Sequence, residues 1–152
     1  MLMRAIILAV LFTGVCGLFP LNEALGDDQE LLKGLSGLWT DTRNPPDQWR
    51  ITVVADGLEI VMVRNGNGPV PSEYAWRITL RIEGNRLRGT IYYPGPNPLQ
   101  RAPATCQAGG RIVNEDKINL RYEYMKRISS NPTYFAGCDS GEVFEATLVP
   151  LF

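Results

Sequence analysis

The sequence of 152 residues contains no histidine, and this absence removes several kinds of active site at once. Histidine is the usual general base near neutral pH, the partner of Ser and Cys nucleophiles, and the commonest zinc ligand. Two carboxylates can hydrolyse a glycoside without histidine. The candidates Glu123 and Glu145, however, alternate with apolar residues, as residues on a solvent-facing side do. We therefore expect a protein that is not an enzyme and that holds neither a cofactor nor a metal ion.

The sequence also lacks an excess of charge, since 15 Lys and Arg stand against 16 Asp and Glu. A near-neutral chain has no overall field that would attract nucleic acid or a strongly acidic partner. The glycine-rich run Asn65-Gly66-Asn67-Gly68 is not a phosphate loop, because neither Lys-Ser nor Lys-Thr follows it. We interpret that run as a mobile loop and expect no nucleic-acid partner.

A hydrophobic run long enough to span a membrane is missing as well. The apolar stretch at residues 5–19 is about 15 residues long, whereas a spanning helix needs roughly 20. Arg4 precedes this stretch, and the Ala-Leu-Gly at residues 24–26 has small residues where a signal peptidase cuts. The pattern predicts a signal peptide over residues 1–26, one domain over residues 27–152, and a secreted or periplasmic location.

Two other interpretations of the N-terminus stay open. A retained apolar helix would anchor the protein in a membrane, although the stretch is short for that role. Lipidation of Cys16 would make a lipoprotein, although Val15 stands where that motif has a small residue. We expect contact with a membrane only if Cys16 is lipidated.

Cysteine is scarce, with three in the chain, and Cys16 would leave with the signal peptide. The remaining pair, Cys106 and Cys138, predicts a disulfide in an oxidising compartment. A redox or metal role is disfavoured, because the sequence has no Cys-x-x-Cys and no histidine to complete a site. Closing a loop of about 30 residues stabilises a protein by on the order of 3–4 kcal/mol.

What the chain does contain is alternation of apolar and polar residues with a period of two, which is typical of β-strands. A helical pattern is confined to residues 28–35. In the first hairpin we take Asp56-Gly57 as the two-residue turn. That turn pairs Val53 with Ile60, Ile51 with Met62 and Trp49 with Arg64.

A second hairpin turns at Gly84-Asn85. Its inner face is apolar, with the cross-strand pairs Ile82–Leu87, Leu80–Gly89, Ile78–Ile91 and Trp76–Tyr93. Its outer face is predicted to be solvated and carries Arg77, Arg81, Arg88 and Tyr92.

Further alternating segments bring the number of strands to about eight, at residues 38–41, 118–124, 134–138 and 143–149. Eight short strands in sequential hairpins predict an all-β fold, a small antiparallel meander barrel with a short N-terminal helix. A β-sandwich is the alternative. The loops 66–72 and 94–104 would lie at the ends of the barrel, where rigid scaffolds usually carry their binding residues.

The short helix followed by Gly37-Leu38-Trp39 resembles the Gly-x-Trp opening of lipocalins and avidins, which belong to the calycins. The resemblance implies a meandering barrel that holds a small ligand in its lumen, with the Trp closing one end. Lipocalins also carry an Arg near the last strand that packs on this Trp, whereas residues 143–152 contain none. Arg64 near Trp49 is a candidate substitute. The second half of the chain is similar to secreted bacterial β-domains with one disulfide.

Two groups of residues are candidates for binding, and each has a purely structural interpretation. An apolar or amphipathic ligand would contact aromatic and cationic residues, namely Trp39, Trp49, Trp76 and Arg64. Large aromatic residues in a small barrel, however, more often fill its core. An anion such as a phosphate, a carboxylate or lipopolysaccharide would bind to Arg77, Arg81, Arg88 and Tyr92. Residues on an outer face are more often simply solvated, but Arg81 opposite Arg88 is a repulsive pair that a ligand or a nearby acid would relieve.

Two hypotheses about function follow from these groups. The first is a non-catalytic binding module, with a small ligand in the barrel or an anionic ligand on the arginine face. The alternative is a protein-interaction module, such as a periplasmic inhibitor of an envelope hydrolase. Such an inhibitor would present the loops 66–72 and 94–104 to its target.

Overall fold

The structure is a computed structural model, and it describes residues 32–94, 103–127 and 135–152. The predicted signal peptide, Cys16 and residues 95–102 of the second loop lie outside these ranges. Of the predicted short helix, the described residues 32–34 are helical. No helix in the described ranges has the length and apolar composition needed to cross a bilayer.

The described residues form nine strands, and eight of them close into one antiparallel barrel. The barrel closes because the last strand, β9, pairs with β1, while β4 is a two-residue extension paired with the end of β3. The strands are β1 Gly37–Asp41, β2 Gln48–Val54, β3 Gly57–Asn65, β4 Gly68–Pro69, β5 Arg77–Glu83, β6 Arg86–Tyr93, β7 Ala104–Asn114, β8 Lys117–Arg127 and β9 Phe135–Pro150. The predicted all-β meander barrel is confirmed, and the alternative of a sandwich does not form. The segments predicted as separate strands at residues 134–138 and 143–149 belong, in the described residues, to the single strand β9, and β7 was not predicted.

The second hairpin, β5 and β6, has the register that its sequence predicts. Ile82 pairs with Leu87, and Arg81 lies opposite Arg88 on the outer face. The tight turn is possible because Gly84 has a φ of 63°, a left-handed conformation that side chains disfavour. The alternation of apolar and polar residues and the glycine in the turn therefore predict the same register for this hairpin.

The predicted register of the first hairpin, β2 and β3, is wrong by two residues. The turn is Ala55-Asp56, and Val54 pairs with Gly57, so Ile51 lies opposite Ile60 rather than Met62. Gly57 pairs with Val54 and Arg81 and so belongs to the strand, and the position requires glycine because a Cβ there would lie 1.9 Å from the carbonyl oxygen of Leu80. A shift of two residues keeps every side chain on its own face, so alternation alone could not detect it.

The connections at the two ends of the barrel differ in length. At one end, here called the turn end, the connections 55–56, 84–85 and 115–116 have two residues each. At the other, the loop end, longer connections join β1 to β2, β3 to β5, β6 to β7 and β8 to β9. A barrel built this way can present a varied surface only at its loop end.

The inner side chains of all eight barrel strands meet in a single hydrophobic cluster. Ile51, Ile60, Ile78 and Ile91 are each 1% exposed or less. An interior of eight strands is just wide enough to be filled by side chains or to hold one small ligand. Within the described part of the chain, side chains occupy the middle of this barrel.

The helical residues 32–34 cover the turn end. Leu35, which follows them, is fully buried, and its carbonyl oxygen accepts a hydrogen bond of 3.0 Å from the indole N–H of Trp39. That contact joins the helical turn to the inner face of β1. The tryptophan of the Gly-Leu-Trp motif therefore contributes to the packing beneath the turn end.

The predicted disulfide between Cys106 and Cys138 is present. Cys106 lies on β7 and Cys138 on β9, and these strands are separated in the sheet by β8. The bond therefore ties two strands that share no backbone ladder.

Candidate functional site

The three tryptophans differ in how far solvent reaches them. Trp39 and Trp49 lie opposite each other on β1 and β2, and each is 1% exposed. Both belong to the core of the barrel. Trp76, just before β5, is only partly buried and packs against the edge of that core at the loop end. Of the three predicted ligand-lining tryptophans, Trp76 is the one a ligand could touch without entering the packed interior.

The predicted arginine face exists as a surface, and acids lie against two of its members. Arg81 Nε is 3.5 Å from the Asp56 carboxylate, and Arg88 Nε is 3.4 Å from Glu83. Arg77 donates to the backbone carbonyl of Ser72 at 3.2 Å, and Tyr92 lies opposite Arg77. Nearby acids therefore relieve the repulsion between Arg81 and Arg88. Binding of an anion to this face stays a prediction.

The predicted neighbour of Trp49 changes with the register of the first hairpin. Met62 lies opposite Trp49, whereas Arg64 lies opposite Gln48 near the end of β3. The predicted pairing of Arg64 with Trp49 is therefore wrong, because a turn one residue earlier shifts the pairing of the two strands by two residues. Arg64 is exposed at the loop end.

Five aromatic rings form a continuous cluster towards the loop end. The ring centroids of Trp76 and Tyr93 are 5.0 Å apart in an edge-to-face arrangement, and each lies 6.1 Å from Tyr124. Tyr124 and Tyr122 then contact Phe144 at 4.9 Å and 6.1 Å. Such pairs add to the stability that burial of each ring supplies. The strand predicted at residues 118–124 contains Tyr122 and Tyr124, but the sequence did not single out Phe144.

Tyr93 anchors this aromatic cluster. Its hydroxyl donates a 2.7 Å hydrogen bond to the backbone carbonyl of Glu123, which joins β6 to β8. Burial raises the pKa of the Tyr93 hydroxyl well above its ordinary value, and nearby tyrosines add to that shift. The hydroxyl therefore stays protonated and keeps its structural hydrogen bond throughout the neutral range.

A groove of about 410 Å³ opens beside Trp76, and we call it the mouth groove. Its volume lies within the range of small-molecule sites. Tyr74 is 43% exposed at this groove, so an aromatic surface faces solvent there. The groove is lined by Asp47, Met62, Asn65, Asn67, Pro69, Val70, Pro71, Tyr74 and Trp76.

Backbone hydrogen bonds hold the wall of the mouth groove in place. The run at residues 65–68, expected to be a mobile loop, is a tight hairpin in which Asn65 pairs with Gly68. Val70 N–H donates to Val63 at 3.0 Å, and Tyr74 N–H donates to Pro71 at the same distance. This connection therefore presents its side chains from a defined backbone.

Asp47 supplies the charge of the mouth groove. Its carboxylate accepts a hydrogen bond of 2.7 Å from the Asn44 side chain. Burial raises the pKa of Asp47 above its ordinary value, the Asn44 hydrogen bond opposes that shift, and the Asp41 carboxylate adds to it. Asp41 itself is structural, because its Oδ1 accepts the backbone N–H groups of Arg43 and Thr147.

Two of the other grooves in the described residues offer less to a ligand. One of about 540 Å³ lies over Gly109 and Gly110, between Arg121 and Val143, on a part of the sheet where the glycines leave a trough. Another of about 280 Å³ lies at the turn end beside Leu32. Neither has exposed aromatic rings beside polar groups on an ordered connection, which is the combination that the mouth groove provides.

Sequence reasoning named Trp76 but missed Asp47, Asn65 and Tyr74. Tyr74 had a weak signal, since it lies two residues from Trp76 in a polar connection. Asp47 had none, because it approaches Trp76 only when β3 pairs with both β2 and β5. The mouth groove therefore depends on contacts between distant parts of the chain.

No protein-family model, no curated protein and no solved structure matches this chain. The class of protein that the fold defines is a small antiparallel β-barrel with one disulfide. The geometry of the mouth groove is therefore the feature that bears on function.

Proposed function

We propose that this protein is a non-catalytic binding module that takes a small amphipathic ligand in the mouth groove. The observation that carries the proposal is the partly exposed aromatic pair Tyr74 and Trp76 on an ordered connection at the loop end. Ligand sites combine apolar walls with a few placed polar groups. The mouth groove has that composition, with Asp47 and two asparagines at its rim.

The apolar part of the ligand would lie over Trp76 and Met62, with its polar part towards Asp47 and Asn65. The filled interior favours binding at the mouth over the deep lumen that the calycin resemblance implies. The protein would then share a barrel architecture with calycins but bind its ligand at a shallower site. A location outside the cytosol is part of the proposal, and the Cys106–Cys138 disulfide supports it.

The proposal is tested with N-phenyl-1-naphthylamine, an uncharged probe whose fluorescence rises in an apolar site. Titration of the mature protein should give one saturable site. Tyr74→Ala should weaken binding by about tenfold, because a stacked aromatic ring contributes on the order of 1–2 kcal/mol. Substitution at this half-exposed position should leave the fold intact.

The matched control is Tyr92→Ala. Tyr92 is 40% exposed, nearly as much as Tyr74, but it lies on the outer face of β6. This variant should bind the probe as the wild type does. Absence of a saturable site in the wild type, or equal losses in the two variants, would refute binding at the mouth.

A second candidate function is a protein-interaction module, such as an inhibitor of an envelope hydrolase. It is favoured by the grouping of all the long connections at one end of a barrel with a filled interior. In that case Tyr74 would contact a partner protein, and the wild type would bind the partner while giving no saturable signal with the small probe. The same titration therefore separates the two candidates.

A further inference from the structure

The mouth groove has an uneven chemical character. Among its described lining residues, Asp47 is the one whose side chain is an acid or a base of the Asp, Glu, Lys or Arg type, and the others are apolar, aromatic or amide-bearing. The aromatic members, Tyr74 and Trp76, have electron-rich faces that attract cations. The carboxylate of Asp47 and the two aromatic rings therefore both favour a ligand with a positive charge.

The surroundings of Asp47 add to this preference. Besides burial, the groups that act on its carboxyl are the Asn44 amide, the Asp41 carboxylate and the backbone N–H of Gly66. The nearby Arg43 is engaged elsewhere, since its guanidinium lies 3.2 Å from the carboxylate of Glu145 and also donates to the Glu145 carbonyl. A ligand with a positive charge would meet a carboxylate that no described arginine or lysine pairs with within 4 Å.

We propose that the ligand of the mouth groove is an organic cation, an alkylammonium compound whose charged head lies between Asp47 and the rings of Tyr74 and Trp76. This inference rests on the proposed function and specifies its ligand class. The apolar tail would follow the groove along Met62 and Val70. A substituted ammonium group is weakly hydrated and fits one carboxylate with aromatic walls. A bare divalent ion would instead need several oxygen ligands.

The experiment compares three compounds with the same chain, octyltrimethylammonium, octanol and octyl sulfate, below their micelle concentrations at pH 7. Binding is followed by NMR through the indole N–H signal of Trp76, assigned with a Trp76→Phe variant. Octyltrimethylammonium should shift this signal with an affinity about tenfold higher than octanol, and octyl sulfate should bind more weakly than either. The shift of the Trp76 signal reports binding directly, so no fluorescent probe has to be displaced.

Asp47→Asn should remove the preference for the cation while octanol binds as before. The variant should fold, because the amide oxygen of asparagine can still accept the hydrogen bond from Asn44 and because burial disfavours the charged form of Asp47. Glu73→Gln is the matched control, since it removes a carboxylate from an exposed residue next to Tyr74 that does not line the groove. It should keep the preference.

The outcomes separate the two proposals. If octanol and octyltrimethylammonium shift the Trp76 signal with equal affinity, or if Asp47→Asn keeps the preference, the organic-cation ligand is refuted and the amphipathic site stands. If none of the three compounds shifts the signal, both proposals are refuted.

Discussion

Among single residues, Trp39 and Trp49 form a natural pair for comparison. They face each other across β1 and β2 with the same exposure. The indole N–H of Trp39 donates to Leu35, whereas the indole N–H of Trp49 has no partner among the described residues. The two side chains therefore fill similar volumes but differ in one hydrogen bond.

We expect Trp39→Phe to lower the free energy of unfolding by about 1–3 kcal/mol more than Trp49→Phe does. Both changes remove the same ring volume, but only the first leaves a buried carbonyl, that of Leu35, without its donor. Urea denaturation of the two variants and the wild type measures the difference. Equal losses would contradict the assigned role of the Leu35 hydrogen bond.

At the scale of elements, the hairpin of β8 and β9 departs most from regular pairing. Val143 pairs with Glu123, but the next pair along is Asp139 with Tyr124, so β9 bulges at residues 140–142. Beyond this bulge, Cys138 is bonded to Cys106 on β7. The disulfide therefore holds the far part of the hairpin beside the rest of the barrel.

The double change Cys106→Ala with Cys138→Ala should lower the free energy of unfolding by on the order of 3–4 kcal/mol. The bond joins cysteines with a sequence separation of 32, and its loss raises the conformational entropy of the unfolded chain. Chemical denaturation with and without a reductant provides the measurement. The reductant should destabilise the wild type by a similar amount and leave the variant unchanged, and a wild type indifferent to reduction would contradict the prediction.

At the scale of the whole molecule, buried tyrosines couple stability to alkaline pH. Burial raises the pKa values of Tyr93 and Tyr122 in the folded protein above the ordinary value of 10.0. Above that pH the unfolded chain loses these protons more readily than the folded chain does. The stability contributed by the two groups is therefore complete below about pH 10 and falls as the pH rises further.

We expect the free energy of unfolding to decline with increasing pH above about 10, and Tyr122→Phe to make the decline shallower. Denaturation at a series of pH values between 8 and 11 measures the slope. Tyr92→Phe is the control, because Tyr92 is exposed on the outer face and its change should leave the slope as it is. An unchanged slope in Tyr122→Phe would contradict the prediction.

Much of the fold was predictable because the pattern of side chains in a strand has a period of two. The inner and outer faces of β5 and β6, their turn at Gly84 and the pairing of the two cysteines all follow from local pattern and composition. The register of β2 and β3 did not follow. Gly57 looks like a turn residue in the sequence, and only the approach of the Leu80 carbonyl explains why a strand position requires glycine.

The sequence by itself determined which side is buried in the strands that it predicted, β2, β3, β5 and β6 above all, since alternation specifies a face and burial selects the apolar one. Only the tertiary structure decided where the candidate site lies. Pairing of β3 with both β2 and β5 brings Asp47 beside Trp76, and the register of β5 on β3 puts Asp56 against Arg81. Contacts between connections distant in the chain depend on strand order and register, and a period of two encodes neither.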